Sequence, residues 1–170
     1  MANLKIDIKE FITLNGDKYD SNNSYTLTNI DEISKRIVTI PTSSIKEIIG
    51  MSTSIGSGTF IESDVRYMRF TNLGAVRSGS YTGSNTVPIM LTFKNENNDT
   101  FGVKLDEGIS YVYSGVSNEG VVNTLVATSS AAGINTSSFG DLFNITATTS
   151  ASTEVGSVSG ASLELFVAST

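Results

Sequence analysis

The sequence of 170 residues contains neither His nor Cys, and its 17 acidic and 11 basic residues give a formal net charge of −6. Without imidazole or thiol groups there is no thiol nucleophile, thiolate metal site or imidazole acid–base catalyst, which excludes most enzyme mechanisms. So few basic side chains give no electropositive surface for a phosphate backbone, and we expect no direct binding to nucleic acid. A chain of this length is expected to fold as one domain over residues 1–170, with a core that needs no disulfide.

The beginning of the chain and its apolar runs bear on export and on membranes. Residues 1–7 alternate charged and apolar side chains and lack the basic and apolar regions of a secretion signal, so we expect no export by that route. The best apolar candidate, residues 121–132, is shorter than the roughly 18 residues that cross a bilayer. It is also interrupted by Asn123 and Thr124. We therefore expect no contact with a membrane.

The first predicted strand covers residues 4–14. Leu4, Ile6 and Ile8 share one face, and the apolar residues that resume at Phe11 are out of register with them, which predicts a β-bulge or a bend after Ile8. Asn15-Gly16 predicts a tight turn. The polar run over residues 16–23 is either an exposed hairpin tip or a contact arm, and the tip is the favoured interpretation.

Short apolar or alternating segments, separated by Ser, Thr, Asn and Gly, predict about ten further strands. They cover residues 24–28, 36–40, 44–51, 59–70, 87–94, 100–105, 109–114, 121–128, 142–149 and 162–168. Only residues 29–36 could pass for a helix, and we interpret them as a turn that leads into a strand. So many strands in one domain predict an all-β fold, an antiparallel β-sandwich with a jelly-roll-like arrangement.

Two kinds of connection stand out in the second half of the chain. Residues 95–100 form the clearest hairpin signal, and Asp106-Glu107-Gly108 predicts a tight turn, so residues 87–115 are expected to form a three-stranded meander. The small-residue segments over residues 129–140 and 148–160, which carry almost no charge, are predicted surface loops. They are either interface segments or flexible loops.

Two groups of acidic and amide side chains are of the types that carry chemistry. Glu62 and Asp64 would share a strand face at a separation that suits a glycosidase pair, although two solvated charges are the favoured interpretation. A second group has clustered oxygen atoms of the kind that bind calcium, but it lacks the ligand order of a known calcium loop. Its members are Asp17, Asp20, Asn22 and Asn23. We predict no catalytic, cofactor-binding or metal-binding residues.

The stretches at residues 36–44, 59–60, 65–73 and 104–113 resemble small virion proteins of tailed bacteriophages. In those proteins a strand ending in Thr-Asn-Leu is followed by a variable hairpin, an apolar strand and a Leu-x-x-Gly-x-Ser-aromatic step. Here Thr71-Asn72-Leu73 and the segment from Leu105 to Tyr111 match that order. The resemblance covers about residues 36–115 and implies a β-sandwich subunit of a phage particle.

We therefore predict a non-enzymatic capsid auxiliary or decoration subunit that binds the major capsid protein or other virion subunits and stabilises the phage head. It is expected to be a homo-oligomer, with a trimer favoured, that is assembled in the host cytoplasm and located in the virion. One alternative is a structural protein of the tail, collar or fibres. Another is a carbohydrate-binding module or adhesin that uses Tyr19, Tyr25 and Tyr81. A third is a glycosidase that uses Glu62 and Asp64.

Overall fold

The computed structural model describes residues 1–52, 59–61, 64–77, 86–95, 98, 100–114, 142–149 and 158–170. These residues contain eleven β-strands and no helix. The strands are β1 (Ala2–Leu14), β2 (Asp17–Ile30), β3 (Glu32–Pro41), β4 (Lys46–Ser52), β5 (Thr59–Ile61), β6 (Val65–Arg77), β7 (Ile89–Asn95), β8 (Thr100–Leu105), β9 (Ser110–Ser114), β10 (Leu142–Thr149) and β11 (Val158–Ser169). No helix in this part of the chain has the length and apolar character needed to cross a membrane.

The strands form a β-sandwich and a separate hairpin. One sheet has five strands in the order β5-β4-β10-β7-β8, the second has four in the order β3-β11-β6-β9, and β1 pairs only with β2. Every pairing is antiparallel except that of β4 with β5. The predicted all-β antiparallel sandwich of about ten strands is confirmed.

The core lies between the five-stranded and four-stranded sheets. Alternation places Leu163, Leu165 and Val167 of β11 on the inner face, where all three are buried. Phe70 of β6 meets Phe93 of the opposite sheet edge to face, with ring centroids 5.9 Å apart. These contacts hold the two sheets together, because packing against the other sheet removes the apolar surface of each inner side chain from water.

The predicted three-stranded meander over residues 87–115 is wrong at its third strand. β7 and β8 pair as expected, but β9 pairs with β6 in the four-stranded sheet. The turn at Gly108 carries the chain from one sheet to the other. It is fixed there because the Gly108 N–H donates to the Asn72 carbonyl (2.8 Å) and the Asn72 N–H donates to the Ile109 carbonyl (3.1 Å).

The side chain of Asn72 ties the same region together. It is fully buried, and its Nδ2 donates to the carbonyls of Val87 (2.9 Å), just before β7, and of Leu105 (3.0 Å), the last residue of β8, so it bonds to the other sheet. Its Oδ1 accepts a hydrogen bond from the Gly74 N–H at 2.9 Å. All of its strong hydrogen-bonding groups but one lone pair are therefore used, as the burial of an amide requires.

Other sequence predictions have mixed outcomes. The predicted strand over residues 59–70 is divided into β5 and β6, and residues 29–36 are largely strand, with Asn29 at a positive φ of 61°. The polar run over residues 16–23 is exposed and belongs to a hairpin, but the turn is limited to Asn15 and Gly16, and residues 17–23 are part of the continuous strand Asp17–Ile30. The strand predicted over residues 121–128 and the loop over residues 129–140 lie outside the described residues.

Candidate interaction surface

Strands β1 and β2 form a long hairpin, which we call the arm. The two-residue turn at its tip has positive φ at both positions, 53° at Asn15 and 90° at Gly16, which is the type I′ geometry that matches strand twist. Pairing runs without interruption from Leu4 opposite Leu27 to Leu14 opposite Asp17. The predicted bulge after Ile8 is therefore wrong, and the only register shift in the arm lies between Ala2 and Leu4.

This continuous register places most of the large apolar side chains of the arm on one side, which we call the apolar arm face. Its members on β1 are Leu4, Ile6, Ile8, Glu10, Ile12 and Leu14, and those on β2 are Asp17, Tyr19, Ser21, Asn23, Tyr25 and Leu27. Phe11 alone of the apolar residues between Leu4 and Leu14 lies on the opposite face.

The proximal part of the arm, residues 2–7 and 24–30, packs on the outer side of the four-stranded sheet. Leu27 and Ile30 are buried there against Tyr67 and Ala168, and half-buried side chains surround them. The Tyr25 hydroxyl forms a hydrogen bond with Ser114 Oγ at 2.7 Å. Each buried aliphatic side chain contributes roughly 1.5–3 kcal/mol to this attachment.

The distal arm, residues 8–23, has no such support. Each of its residues is exposed, and Ile12, Leu14 and Tyr19 are 58%, 55% and 56% exposed. At about 3.3 Å per residue, each of its strands extends about 20 Å beyond the proximal part. A two-stranded hairpin is marginally stable alone in water, so an arm of this length with exposed apolar side chains is typical of a segment completed by a partner.

The distal arm contains a second copy of the Ile–Tyr pair by which the proximal arm packs on the sheet. Ile6 faces Tyr25 across the hairpin in the proximal part, and Ile12 faces Tyr19 on the same face six residues farther out. The first Ile–Tyr pair packs against the sheet, whereas the second is exposed. Glu10 lies between the two pairs and puts one negative charge on an otherwise uncharged stretch of that face.

The arm is the surface from which a function has to be inferred. No protein-family model, curated protein or solved structure matches this chain. The resemblance of residues 36–115 to virion proteins of tailed phages therefore stays a prediction.

Beside the proximal arm, none of the described strands covers the outer side of the four-stranded sheet, and we call this area the open sheet face. It consists of Lys35, Ile37, Arg69, Val112 and Glu164. Glu164 is only 17% exposed and bridges two cations, Arg69 at 2.5 Å and Lys35 at 3.5 Å, which leaves the cluster with a net charge of +1. Ile37 and Val112, at 63% and 40% exposed, flank this cluster.

A groove separates the open sheet face from the proximal arm. Its volume is about 290 Å³, and β1 lines one wall while Tyr67, Arg69 and Phe166 line the other. The Arg69 guanidinium lies over the Phe166 ring, 5.9 Å from its centroid. This stacking and the bond to Glu164 hold the Arg69 guanidinium in an apolar setting. A cation in such a setting typically binds a carboxylate.

The alternative glycosidase pair of Glu62 and Asp64 lies only in part within the described residues, because Glu62 is outside them. Asp64 is in a turn where its N–H donates to the Ile61 carbonyl and its carbonyl accepts from the Thr170 N–H. Among the described residues no three His, Cys, Asp or Glu side chains lie close enough to hold a metal ion.

The calcium candidates occupy opposite sides of the arm. Asp17 and Asn23 lie on the apolar arm face, and Asp20 and Asn22 lie on the other, so no single ion can contact all four. Of the glycan candidates, Tyr19 is exposed, Tyr25 is held against the sheet, and Tyr81 lies outside the described residues.

Asp7 is an exposed carboxyl group on β1. Hydrogen bonds from Ser24, its cross-strand neighbour, and from Lys5 lower the pKa of Asp7 below its ordinary value. These groups lie on the polar side of the proximal arm and stabilise the hairpin pairing. The open sheet face was not predicted from the sequence, because its five residues come from four strands whose neighbours only the fold determines.

Proposed function

We propose that the protein is a non-enzymatic structural subunit of a phage particle and that its distal arm binds a neighbouring subunit. The observation that carries this proposal is the exposure of every residue of the distal arm together with the apolar character of one of its faces. The resemblance over residues 36–115 supports the assignment to a phage particle. A capsid auxiliary or decoration role is the favoured form, with a tail, collar or fibre position as the alternative.

The mechanism is the addition of many modest contacts on a symmetric lattice. An exposed hairpin can bury its apolar face, and its two unpaired strand edges can accept further strands, so one arm offers both side-chain and backbone contacts. Each contact is weak alone, but repeated copies raise the effective concentration of every neighbour and stabilise the whole shell.

The test removes the distal arm and leaves the sandwich intact. Replacing residues 9–22 with Asn-Gly closes the hairpin at the pair of Ile8 and Asn23, which has the same position in the pairing alternation as the native closing pair of Leu14 and Asp17. The wild-type chain and the shortened chain are each incubated with phage particles that lack this subunit. The particles are produced from the genome that encodes the chain, and binding is measured by cosedimentation.

We expect the wild-type chain to cosediment and the shortened chain to stay in the supernatant, with both chains melting at nearly the same temperature because the removed residues are exposed. Equal binding by both chains would show that the arm is not the contact. A wild-type chain that neither binds particles nor forms any assembly would refute the structural function. Stoichiometry of the bound protein then separates a threefold decoration from a sixfold or twelvefold tail ring.

A further inference from the structure

We infer that the partner of the distal arm is a second copy of this chain, and that the apolar arm face of one copy packs on the open sheet face of the next. This rests on the proposed structural function, since it names the subunit that the arm binds. The contact joins two different surfaces, so it is head to tail and closes into a ring, such as a trimer, or continues as a row of subunits.

The first argument is the repetition of the docking chemistry. The outer side of the four-stranded sheet already accepts one Ile–Tyr pair, that of Ile6 and Tyr25, from its own chain. The second pair, Ile12 and Tyr19, presents the same side chains on the same face of the same hairpin. The open sheet face continues the surface on which the first pair packs, and it offers exposed Ile37 and Val112 to the second.

The second argument is charge. Glu10 is the only charged residue of the apolar arm face between the two Ile–Tyr pairs. The open sheet face carries Lys35 and Arg69 around a single carboxylate, so it has one positive charge in excess. A carboxylate from an incoming arm would neutralise that excess, and the groove beside β1 leaves space for it above Arg69.

The contact cannot form within one chain. The proximal arm already occupies the end of the sheet around Tyr67 and Ala168, and the continuous strand pairing keeps the distal arm in line with it. Every distal residue is exposed, so the distal arm does not cover the open sheet face of its own chain.

The experiment measures self-association of the full-length chain by sedimentation velocity over about a hundredfold range of concentration. The test variant is Ile12→Ser with Tyr19→Ser, and the matched control is Phe11→Ser, which alters a neighbouring, 86% exposed apolar residue on the opposite arm face. We expect the test variant to raise the dissociation constant at least about tenfold and the control to change it less than about threefold. All three proteins should melt alike, because none of the substituted residues is buried.

Exchange of the charges at positions 10 and 35 then tests whether the arm binds the open sheet face. Glu10→Lys and Lys35→Glu should each weaken self-association when tested alone, because each places like charges across the contact. Combining both substitutions in one chain should restore self-association to wild-type strength. In that double variant, Lys at position 10 meets Glu at position 35 in every contact, whether the subunits form a ring of any size or a row.

The outcomes separate this inference from the proposed function. A chain that stays monomeric yet cosediments with particles through its arm retains the structural function and overturns the inference. Self-association that is insensitive to Ile12→Ser with Tyr19→Ser overturns it as well, and so does failure of the doubly charge-exchanged variant to recover. If neither particles nor a second copy are bound, both proposals fall.

Discussion

The arm and the sandwich are built from the same kind of strand but are stabilised in different ways. Phe70 in the sandwich is fully buried and contacts a ring from the opposite sheet, whereas Phe11 in the arm is 86% exposed. Strands β11 and β6 each pair on both edges, whereas β1 and β2 pair only with each other. The sandwich therefore obtains its stability within the chain. The apolar side chains of the distal arm add little to folding, and in our proposal they contact another molecule.

The largest expected difference between the two regions comes from truncating the two phenylalanines. Phe70→Ala should lower the free energy of unfolding by about 3–5 kcal/mol, because it leaves a cavity where the two sheets meet. Phe11→Ala should change it by less than about 0.5 kcal/mol. Urea unfolding followed by circular dichroism measures both. A comparable loss in the two variants would mean that the arm packs on the sandwich far more than its exposure indicates.

A smaller difference is expected from two asparagines. Asn72→Ala removes the donor to the Val87 and Leu105 carbonyls and leaves buried backbone groups unsatisfied, so it should cost about 2–4 kcal/mol. Asn22→Ala, on the exposed arm, should be neutral within about 0.5 kcal/mol. Chemical denaturation of both variants tests this. If Asn72→Ala were as mild as Asn22→Ala, the crossing between sheets would not depend on that amide.

The two tyrosines of the arm sharpen the boundary between its proximal and distal parts. Tyr25→Ala removes a half-buried ring and its hydrogen bond to Ser114, and it should lower stability by about 1–2 kcal/mol. Tyr19→Ala should leave stability within about 0.5 kcal/mol of wild type and weaken assembly instead. Thermal melts and sedimentation on the same samples separate the two effects. If Tyr19→Ala lowered stability and Tyr25→Ala weakened assembly instead, the boundary of the proximal part would lie farther toward the tip of the arm.

How far the fold could be predicted depends on whether the deciding contact is local. The Asn15-Gly16 turn and the strands at residues 100–105 and 142–149 were correctly predicted, because turn geometry and period-two patterns act over a few residues. The sheet to which β9 belongs could not be predicted. A tight turn at Gly108 serves a hairpin and a crossing equally well, and the hydrogen bonds of Asn72, more than thirty residues away, decide between them.

The bulge in the arm was wrongly predicted for a related reason. A break in alternation at Glu10 and Phe11 implies a shift of register only if one face of the strand has to be apolar. The distal arm is exposed on both faces, so a charged residue can lie on the apolar arm face and Phe11 on the other without a cost in burial. The apolar arm face was missed with it, since Ile12 and Tyr19 share a face with Ile8 only in the unbroken register.

The smallest expected effect is a loss of stability in alkali at the junction of the arm and the sandwich. Burial of the Tyr67 phenol beneath the proximal arm raises the pKa of that group above its ordinary value, and the nearby Arg69 only partly offsets this. Because the folded-state pKa is the higher one, the stabilisation is complete below the unfolded pKa of about 10 and is lost as pH rises through the folded pKa. Melting temperatures between about pH 9 and about pH 11 should therefore fall less steeply for Tyr67→Phe than for wild type.

Burial raises the pKa of Tyr111 as well, so Tyr111→Phe, in the sandwich core, is the matched control. Only Tyr67→Phe should also slow the alkaline rise in amide exchange of the proximal arm, because only this phenol lies against it. An equal response from both variants would mean that alkali opens the sandwich and the arm together.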